Sequence, residues 1–380
     1  MTQIGKIPQC RAVIGMGNGT CKVDQIQVSV PQADEVLVRM KSASLCHTDH
    51  DSMSWGKPIV MGHEGAGIVE RVGAEVDVVG VGDAVILNWA TPCGACFQCD
   101  LGNQHLCENN SPVVAGANGH TPGHAHLAGT RWQGDPIERS FNLGTLSEYA
   151  LVKSSAVVRF DSEKLAFSSA SLISCGVMTG YGSVVHAGQM PRGASVVVLG
   201  TGGVGLNVIQ AARIAGAKSI IAVDLSANRL EMAQSFGATH SVQASRDDHG
   251  LKEVAEQIKN LTSGRGADFA FECTAIPELG VTPLAMIRNA GTAVQVSGVE
   301  QTIPVDMTLF EWDKKYINPL YGQCNPQRDF PELIRLYERG KLMLDELVTK
   351  EYLIDEIQDA FADMHSGKNA KGVIVFSENV

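Results

Sequence analysis

The stretch VVVLGTGGVG, residues 196–205, contains the pattern G-x-G-x-x-G formed by Gly200, Gly202 and Gly205. It continues an apolar run, Ser195–Leu199, that predicts a buried strand, and residues with helical spacing follow it. Between a strand and a helix, the first glycine permits a tight turn, the second lets a pyrophosphate approach the backbone, and the third lets the helix pack closely on the strand. The N-terminus of the helix favours the negative charge of the phosphates. This stretch therefore predicts a dinucleotide-binding turn in an α/β domain.

A carboxylate at the end of the next apolar strand indicates which dinucleotide binds. The run Ser219–Val223 predicts a second strand, and Asp224 follows it, about 20 residues beyond the glycine turn. An aspartate there accepts hydrogen bonds from both ribose hydroxyls and repels a 2'-phosphate, so NAD is favoured over NADP; Arg229 is the counter-argument, because an arginine can accommodate that phosphate. The candidate cofactor-binding residues of this region are Gly200, Gly202, Gly203, Val204, Gly205, Asp224 and Arg229.

Length and composition limit the function classes. The chain has 380 residues, of which 44% are hydrophobic and 19% are charged, a globular profile long enough for two domains. Its formal net charge of -11 argues against a nucleic-acid partner. The N-terminus lacks the pattern of a signal peptide, and no apolar run reaches about 18 residues, so we expect no membrane partner. A cytoplasmic, reducing location follows, where clustered cysteines more often bind metal than form disulfides.

The two halves of the chain predict different secondary structure. Residues 1–150 predict short strands, among them Ile26–Val30, Glu35–Met40, Gly67–Val72 and Ala84–Leu87. After Pro191, apolar strands alternate with helical stretches, which is typical of βαβ units and a doubly wound parallel sheet. The fold class predicted is therefore α/β, with a β-rich domain beside it.

The C-terminal residues predict helices over Arg328–Arg339 and Ile354–His365 and a strand over Gly372–Phe376. Their periodicity does not indicate which of the two domains they join.

The polar segment Glu108–Leu146 is a long loop that we expect to shape a site or an interface. Its histidines His120, His124 and His126 are interpreted as part of a solvated loop rather than as metal ligands.

The loop TPCGACFQCDLGNQHLC, residues 91–107, holds four of the ten cysteines: Cys93, Cys96, Cys99 and Cys107. Thiolates two residues apart on tight turns can converge on one tetrahedral Zn²⁺, and four protein ligands close its coordination sphere. A redox pair needs only two of the four, and the spacing fits neither common ferredoxin pattern. We therefore predict a structural zinc site.

A second set of metal-binding residues is spread along the chain. The motifs LCHTDH, residues 45–50, and GHEGAG, residues 62–67, offer Cys46 and His63. A catalytic zinc takes three protein ligands and keeps one position open. The candidate for the third ligand is Cys175, in SCGVMTGYGS.

Two carboxylates accompany these ligands. Asp49 and Glu64 are suited to orient His63 and to tune the metal. Taken singly, each candidate ligand could equally be a buried structural side chain, since free cysteines are among the most buried residues.

Together, CHTD, GHEGAG, the four-cysteine loop, SCGVMTGYGS and GTGGVG occur in the order and approximate spacing of the zinc-dependent medium-chain alcohol dehydrogenases. The chain resembles that family over essentially its whole length, with likenesses to its class III and its nicotinoprotein or aryl-alcohol dehydrogenase branches. The resemblance implies a GroES-like catalytic domain made of residues 1–176 and 322–380, and a Rossmann NAD-binding domain over residues 177–321.

The resemblance also implies two zinc ions per subunit, a catalytic one and a structural one, and reversible hydride transfer from a primary alcohol to NAD. Thr48 is expected to accept the hydroxyl proton. Thr179 and Val299 are expected near the nicotinamide, and His47 and Lys371 near the pyrophosphate. The metal ligands implied are Cys46, His63 and Cys175 for the catalytic zinc, and Cys93, Cys96, Cys99 and Cys107 for the structural zinc.

The chain departs from the family at two places. Many relatives relay the proton through a histidine five residues after the first zinc ligand; here Asp51 holds that position and His50 precedes it, so a relay through His50 is an open prediction. The segment before His63 is short, so the pocket wall around Trp55 need not follow relatives. Trp89, near a wall position that is often aromatic in the family, favours hydrophobic or aromatic alcohols.

Three alternatives to an ordinary alcohol dehydrogenase remain. An S-hydroxymethylglutathione dehydrogenase is disfavoured, because Glu108–Thr130 contains no Arg or Lys to bind a glutathione carboxylate. A nicotinoprotein would retain its NAD and regenerate it with a second substrate. A non-catalytic dinucleotide-binding protein would lack the second metal site. Relatives form dimers or tetramers, and the apolar run Gln301–Tyr321 could pair two subunits into a homodimer or homotetramer.

Overall fold

The computed structural model describes residues 9–114, 129–299 and 301–377. The histidines His120, His124 and His126, for which we predict a solvated loop, lie outside the described residues. Contacts between Cα atoms group the chain into two compact units. The first contains the residues up to Cys175 together with Asn325–Arg339 and the residues from Leu344 onward, and the second contains Gly176–Cys324 and Gly340–Met343.

Strands occur in both units and are numbered in chain order. They are β1 Gln9–Gly15, β2 Cys21–Val28, β3 Glu35–Ser44, β4 Ile59–Val60, β5 Ala66–Val72, β6 Ala84–Leu87, β7 Thr130–Trp132, β8 Asp135–Pro136, β9 Glu138–Arg139, β10 Tyr149–Lys153, β11 Val157–Arg159, β12 Ser195–Leu199, β13 Ser219–Asp224, β14 His240–Gln243, β15 Ala267–Glu272, β16 Ile287–Gln295, β17 Lys315–Ile317, β18 Val348–Tyr352 and β19 Lys371–Val375.

Helices also occur in both units. They are α1 His47–Ser52, α2 Phe97–Asp100, α3 Phe167–Leu172, α4 Met178–Gly182, α5 Gly203–Ala215, α6 Ala227–Phe236, α7 Lys252–Leu261, α8 Pro283–Met286, α9 Pro326–Glu338 and α10 Ile357–His365. Among the described residues, none of the helices combines the length and apolar character needed to cross a membrane.

The first unit is built from two mostly antiparallel sheets. One has the strand order β8-β7-β2-β1-β4-β9, and the other has the order β11-β6-β5-β3-β19-β18, with β10 also paired to β3. In β1, alternate side chains point to one face of the strand, so Cys10, Ala12 and Ile14 are buried together in one core cluster. The predicted β-rich half is therefore confirmed in the described residues.

The C-terminal residues join this first unit. Strand β19 pairs antiparallel with β3, so that Val373 lies opposite Ser44. The predicted helices and closing strand are present, with bounds that differ by a few residues from the sequence pattern. The pairing places Lys371, near the end of the chain, beside the residues that precede α1.

The second unit is a doubly wound parallel sheet. Its strand order is β14-β13-β12-β15-β16-β17, and every pairing between neighbours is parallel. From β12 the chain continues through β13 to the edge strand β14. It then returns to form β15 on the other side of β12 and continues through β16 to the opposite edge strand β17. The strand order therefore reverses between β12 and β15. Ligands of such sheets bind at the carboxyl ends of the strands at that reversal. The fully buried run of β12 fits its central position.

Candidate metal centres and coenzyme site

Four potential ligands from distant parts of the sequence meet in the first unit. One ligand atom from each of Cys46, His63, Glu64 and Cys175 lies within 4.8 Å of the others. Cys46 is the residue that caps the N-terminus of α1, whereas His63 and Glu64 lie in the loop between β4 and β5. Cys175 lies in a π-helical turn, Ile173–Val177, that follows α3. Such turns in helices are frequent at functional sites.

The imidazole of His63 is held by a buried carboxylate. Its Nδ1 donates to Oδ1 of Asp49 at 2.8 Å, and both side chains are almost inaccessible to solvent. The other carboxylate oxygen of Asp49 accepts from the backbone N–H of Cys46 at 2.9 Å. Because Nδ1 is engaged, Nε2 is the ring nitrogen available to a metal. Burial would lower the pKa of His63, but the Asp49 carboxylate and the Cys46 thiolate raise it well above its usual value.

The two thiols of this cluster are hydrogen-bonded to each other. A hydrogen bond from Cys175 lowers the pKa of Cys46 well below its ordinary value, and the same interaction raises the pKa of Cys175. The protein thus stabilises one thiolate by itself. A divalent metal ion supplies the charge that deprotonates a coordinating thiol outright. Two sulfurs and one imidazole are donors that zinc prefers, so the residues present fit this metal.

The carboxylate of Glu64 is paired with the C-terminal strand. Nζ of Lys371 lies 2.8 Å from one oxygen of Glu64 and 3.0 Å from the other, and it also donates to the carbonyl of Leu45 at 2.7 Å. The hydroxyl of Ser44 donates to Glu64 as well. Burial alone would lower the pKa of Lys371, but Glu64 raises it. The predicted contact of Lys371 with a pyrophosphate stays a prediction.

Helix α1 positions the other residues predicted near this centre. Oγ1 of Thr48 lies 3.8 Å from Sγ of Cys46. His47 is exposed, and His50 is half-buried. The ring of His50 packs edge-on against His365 of α10, with centroids 4.1 Å apart.

An aromatic cluster borders the histidine ligand. The ring of Phe141 stacks on His63 with centroids 4.6 Å apart, and Trp89 and Trp55 lie 5.3 Å and 6.3 Å from Phe141. Sequence reasoning missed Phe141, because the segment SFNLG carries no motif. Its backbone φ of 52° lies in the left-handed region that bulky residues rarely adopt. Such strained residues cluster at functional sites, but the strain is visible only in the structure.

The four-cysteine loop forms a second, separate cluster. The sulfurs of Cys93, Cys96, Cys99 and Cys107 all lie within 4.8 Å of one another. All ten cysteines are among the described residues, and each is a thiol rather than half of a disulfide. Four sulfurs converging on one point fit a closed tetrahedral metal site.

Hydrogen bonds to sulfur support this cluster. Nδ2 of Asn109 donates to Sγ of Cys93 at 3.2 Å, and the backbone N–H of Glu108 donates to Sγ of Cys96 at 3.4 Å. Burial opposes ionisation, but backbone N–H donors lower the pKa of Cys96 to about 7. Burial raises the pKa of Cys99 to about 12. The loop therefore favours the thiolate of Cys96, whereas a bound cation would supply the charge that ionises a thiol such as that of Cys99.

The glycine turn of the second unit has the predicted strand–turn–helix form. Strand β12 ends at Leu199, Gly200 adopts a φ of 82°, and α5 begins at Gly203 with Gly202 as its N-cap. A Cβ on Gly205 would collide with the carbonyl oxygen of Gly200, so this position requires glycine. Gly203 and Val204 form the first turn of the helix, where their N–H groups are available to a phosphate.

Asp224 ends β13 beside this turn. Its Oδ2 accepts from the backbone N–H and the hydroxyl of Thr201 at 2.9 and 3.1 Å, and its Oδ1 accepts from the N–H of Ser226 at 3.0 Å. Nη1 of Arg229 lies 4.0 Å from Oδ2. The carboxylate of Asp224, which is predicted to bind ribose, is thus hydrogen-bonded to the glycine turn through Thr201.

The two residues predicted near the nicotinamide lie in the same unit. Thr179 is in α4, and its carbonyl accepts from the hydroxyl of Ser183 at 2.7 Å. Val299 is half-buried in the loop that follows β16. Their roles stay predictions.

The fold and these sites define a metal-dependent oxidoreductase that uses a dinucleotide. The second unit has the glycine turn and strand-end aspartate of dinucleotide-binding domains. The first unit has one cluster of three N and S donors beside a carboxylate and one cluster of four sulfurs, the two kinds of site that zinc enzymes use for catalysis and for structure.

Comparison with known proteins narrows the class. The family model described as "Alcohol dehydrogenase GroES-like domain" matches residues 32–162, and that described as "Zinc-binding dehydrogenase" matches residues 203–339. The NDMA-dependent alcohol dehydrogenase of Amycolatopsis methanolica is 36% identical over 96% of this chain and 98% of its own. Alcohol dehydrogenase B of Mycobacterium tuberculosis is 34% identical over 97% of this chain and 98% of its own. The crystal structure of benzyl alcohol dehydrogenase from Acinetobacter calcoaceticus has a TM-score of 0.85 and 29% identity, and it covers 98% of this chain and 100% of its own.

The chain belongs to the zinc-dependent medium-chain alcohol dehydrogenase family. It is an NAD-dependent zinc oxidoreductase that acts on small-molecule alcohols and aldehydes. The predicted family, fold class and cofactors are confirmed, and the alternative of a non-catalytic dinucleotide-binding protein finds no support among these relatives.

Proposed function

We propose that the enzyme oxidises primary alcohols with a hydrophobic or aromatic substituent to their aldehydes, reversibly, with NAD as acceptor. The observation that carries this proposal is the cluster of Trp55, Trp89 and Phe141 beside His63. One ring stacked on His63, with two more rings beside that ring, favours an apolar substituent over a small or charged one. The 29% identical neighbour that is named a benzyl alcohol dehydrogenase supports the same substrate class.

The catalytic zinc is assigned to Cys46, His63 and Cys175. When bound there, zinc supplies a Lewis acid that lowers the pKa of an alcohol. Asp49 orients His63 through the 2.8 Å hydrogen bond and favours a metal-bound imidazole. Glu64 belongs to the same group of ligand atoms, and its charge is balanced by Lys371.

Thr48 is assigned the hydroxyl that accepts the proton of the alcohol. Its position 3.8 Å from Sγ of Cys46 supports this role, because an alcohol bound at the metal would lie close to that sulfur. A second transfer, from Thr48 towards His50, is a further part of the proposal. The edge-on contact of His50 with His365 leaves its half-buried ring oriented by the last helix.

The coenzyme is assigned to the glycine turn and its neighbours. The pyrophosphate binds the N-terminus of α5, where Gly200, Gly202, Gly203, Val204 and Gly205 form the turn. Asp224 binds the adenosine ribose and selects NAD, with Arg229 at its side. The remaining contacts proposed are Thr179 and Val299 at the nicotinamide and His47 and Lys371 at the pyrophosphate.

The second zinc ion is assigned to Cys93, Cys96, Cys99 and Cys107, which gives two ions per subunit. We also propose domain limits of 1–176 with 322–380 for the zinc-binding domain and 177–321 for the NAD-binding domain. The grouping of contacts, which changes near Cys175 and Cys324, supports these limits.

A homodimer or homotetramer in the cytoplasm is proposed as the working form. The segment between β16 and β17 exposes Met307 and Trp312, which are 70% and 65% accessible, and Val305 is 38% accessible. Exposed apolar side chains of this size on one segment favour a contact with a second copy. Size determination by light scattering tests this assembly.

A nicotinoprotein is the second candidate. The 36% identity to a relative that depends on NDMA favours it. Protein purified without added coenzyme should then retain nicotinamide absorbance after exhaustive gel filtration. An enzyme that loses all nucleotide and turns over with added NAD contradicts this candidate.

A substrate screen tests the main proposal. Benzylic, terpenoid and short aliphatic alcohols are supplied with NAD, and reduced nicotinamide is followed by absorbance. We expect kcat/KM to be highest for the benzylic or terpenoid alcohols. A preference for methanol or ethanol, or turnover only with a glutathione adduct of formaldehyde, would contradict the substrate class.

A further inference from the structure

The side chain of Thr201 lies inside the glycine turn, between Gly200 and Gly202, and only 1% of it is accessible. No part of the G-x-G-x-x-G pattern requires a hydroxyl at this position. In this chain, however, both hydrogen-bond donors of Thr201 point to one carboxylate oxygen of Asp224, at 2.9 Å from the backbone N–H and 3.1 Å from Oγ1.

These hydrogen bonds determine which carboxylate oxygen of Asp224 can accept a hydrogen bond from a ligand. Each carboxylate oxygen has about two lone-pair directions. Both directions of Oδ2 are used by Thr201, and one of Oδ1 is used by the N–H of Ser226 at 3.0 Å. The carboxylate of Asp224, whose side chain is 7% accessible, is thus fixed in orientation by the chain, with Oδ1 the oxygen that retains acceptor capacity.

Arg229 adds a competing pull on the same group. Its Nη1 lies 4.0 Å from Oδ2 of Asp224, on a side chain that is 29% accessible. A carboxylate released by Thr201 would be drawn towards this guanidinium, which offers stronger, charge-assisted hydrogen bonds. Among the described residues, Arg229 is the cation that is paired with Asp224. The hydrogen bond from the hydroxyl of Thr201 therefore keeps the carboxylate from turning towards Arg229.

We propose that Thr201 is a positioning residue that holds the Asp224 carboxylate in the orientation that binds the adenosine ribose of NAD, and so sets the preference for NAD over NADP. The proposal rests on the assignment of Asp224 to the ribose made above. Its physical basis is pre-organisation: an acceptor already held in place loses less conformational freedom when the ligand binds.

The test uses zinc-loaded enzyme freed of nucleotide, and compares Thr201→Val, Thr201→Ser, Asp224→Asn and the Thr201→Val/Asp224→Asn double variant. Valine keeps the branched shape and the backbone N–H, so only the hydroxyl is lost, whereas serine retains it. Dissociation constants for NAD and for NADP are measured by calorimetry.

We expect Thr201→Val to weaken NAD binding about tenfold, because a carboxylate that is no longer held in place must be ordered when the nucleotide binds, and to change NADP binding less than about twofold. Thr201→Ser should stay within about twofold of the wild type for both nucleotides. In the Asp224→Asn background, the Thr201→Val change should have no further effect on NAD, because the two residues act through one contact.

Three outcomes overturn the inference. Equal weakening of NAD and NADP by Thr201→Val would show a general disturbance of the turn. A full effect of Thr201→Val in the Asp224→Asn background would show that it does not act through Asp224. If Asp224→Asn itself leaves NAD binding unchanged, the ribose assignment fails and the inference fails with it, which distinguishes the two failures.

Discussion

The imidazole of His63 and the carboxylate of Asp49 are joined by a 2.8 Å hydrogen bond in a region from which solvent is excluded. The two residues come from different elements, since Asp49 is in α1 and His63 is in the loop that follows β4. The same carboxylate binds the backbone N–H of Cys46 at 2.9 Å. One buried anion therefore orients two of the proposed zinc ligands.

Replacing Asp49 tests this role. We expect Asp49→Asn to lower zinc affinity at the catalytic site or kcat/KM by about 10- to 100-fold, because the amide keeps the shape but loses the charge that supports His63. Metal titration with a chelator and steady-state kinetics measure both quantities. Asp77→Asn, at an exposed aspartate of the same unit outside α1, is the matched control and should leave both unchanged. An Asp49→Asn enzyme with wild-type zinc affinity and turnover would refute the role.

Single cysteine variants should distinguish the catalytic metal cluster from the structural one. Cys46→Ser is expected to reduce zinc from two ions to one per subunit and to lower turnover at least about 100-fold while the thermal unfolding midpoint changes little, because the site is catalytic. Cys99→Ser should also remove one ion but lower the midpoint by at least about 5 °C, because a structural zinc contributes to folding. Metal analysis and calorimetry give both readouts.

The control for these cysteine variants is Cys21→Ser, a half-buried thiol outside both clusters. It should retain two zinc ions and full turnover. Full activity in Cys46→Ser would remove the basis of the catalytic assignment.

The aromatic cluster should select the substrate. Phe141→Ala removes the ring that stacks on His63 and contacts Trp89, so we expect kcat/KM for a benzylic alcohol to fall by about 5- to 20-fold, with a change of less than about twofold for ethanol. Steady-state kinetics with both alcohols measure the difference. Trp132→Ala, on strand β7, is the aromatic control and should affect neither substrate. Equal losses for both alcohols in Phe141→Ala would indicate damage to the metal site instead.

A buried carboxylate in the second unit should stabilise the sheet. Glu272 is inaccessible to solvent and accepts from the backbone N–H of Thr274 at 2.6 Å, from Nε2 of Gln295 at 3.0 Å and from the hydroxyl of Ser297. Glu272→Ala leaves these donors without an acceptor, and we therefore expect the free energy of unfolding to fall by about 2–4 kcal/mol. Urea unfolding measures it.

The exposed Glu278 provides the control for this experiment. Glu278→Ala should change the free energy of unfolding by less than about 0.5 kcal/mol. Similar stabilities for the two variants would show that the network around Glu272 contributes little.

Stability should decline at alkaline pH because of Cys10. Burial raises the pKa of this thiol from 9.0 to about 11. Below pH 9 the thiol is protonated in both the folded and the unfolded state, so its contribution is fully present; as pH rises towards 11, only the unfolded state ionises, and stability is lost. The loss attributable to Cys10 should reach about 2 kcal/mol near pH 11.

Cys10→Ala removes this titration, so its free energy of unfolding should fall less between about pH 8 and about pH 11 than that of the wild type, in urea titrations with reductant present. Ile14→Val, a neutral change in the same core, should keep the wild-type decline. Parallel declines in all three proteins would exclude Cys10 as the source.

Some features of this protein are determined by residues that are close in sequence. The turn between β12 and α5 needs Gly200 and Gly205 for local steric reasons, and the four cysteines of residues 93–107 are close enough in sequence for one loop to bring their sulfurs together. The alternation of apolar runs likewise predicted the parallel sheet and the β-rich half. For these features, the spacing of residues along the chain is enough to predict the local structure.

Other features depend on contacts that no spacing reveals. The sequence offered Cys46, His63 and Cys175 as candidate ligands and the resemblance supported them as a set, but only the folded chain brings their ligand atoms within 4.8 Å. Periodicity left the C-terminus unassigned until β19 paired with β3, which carries Lys371 to Glu64. Phe141 was missed because no local motif marks it, and its left-handed backbone is visible only in the structure. Long-range pairing and burial decide such contacts, and their free energy comes from the assembled core rather than from any local pattern.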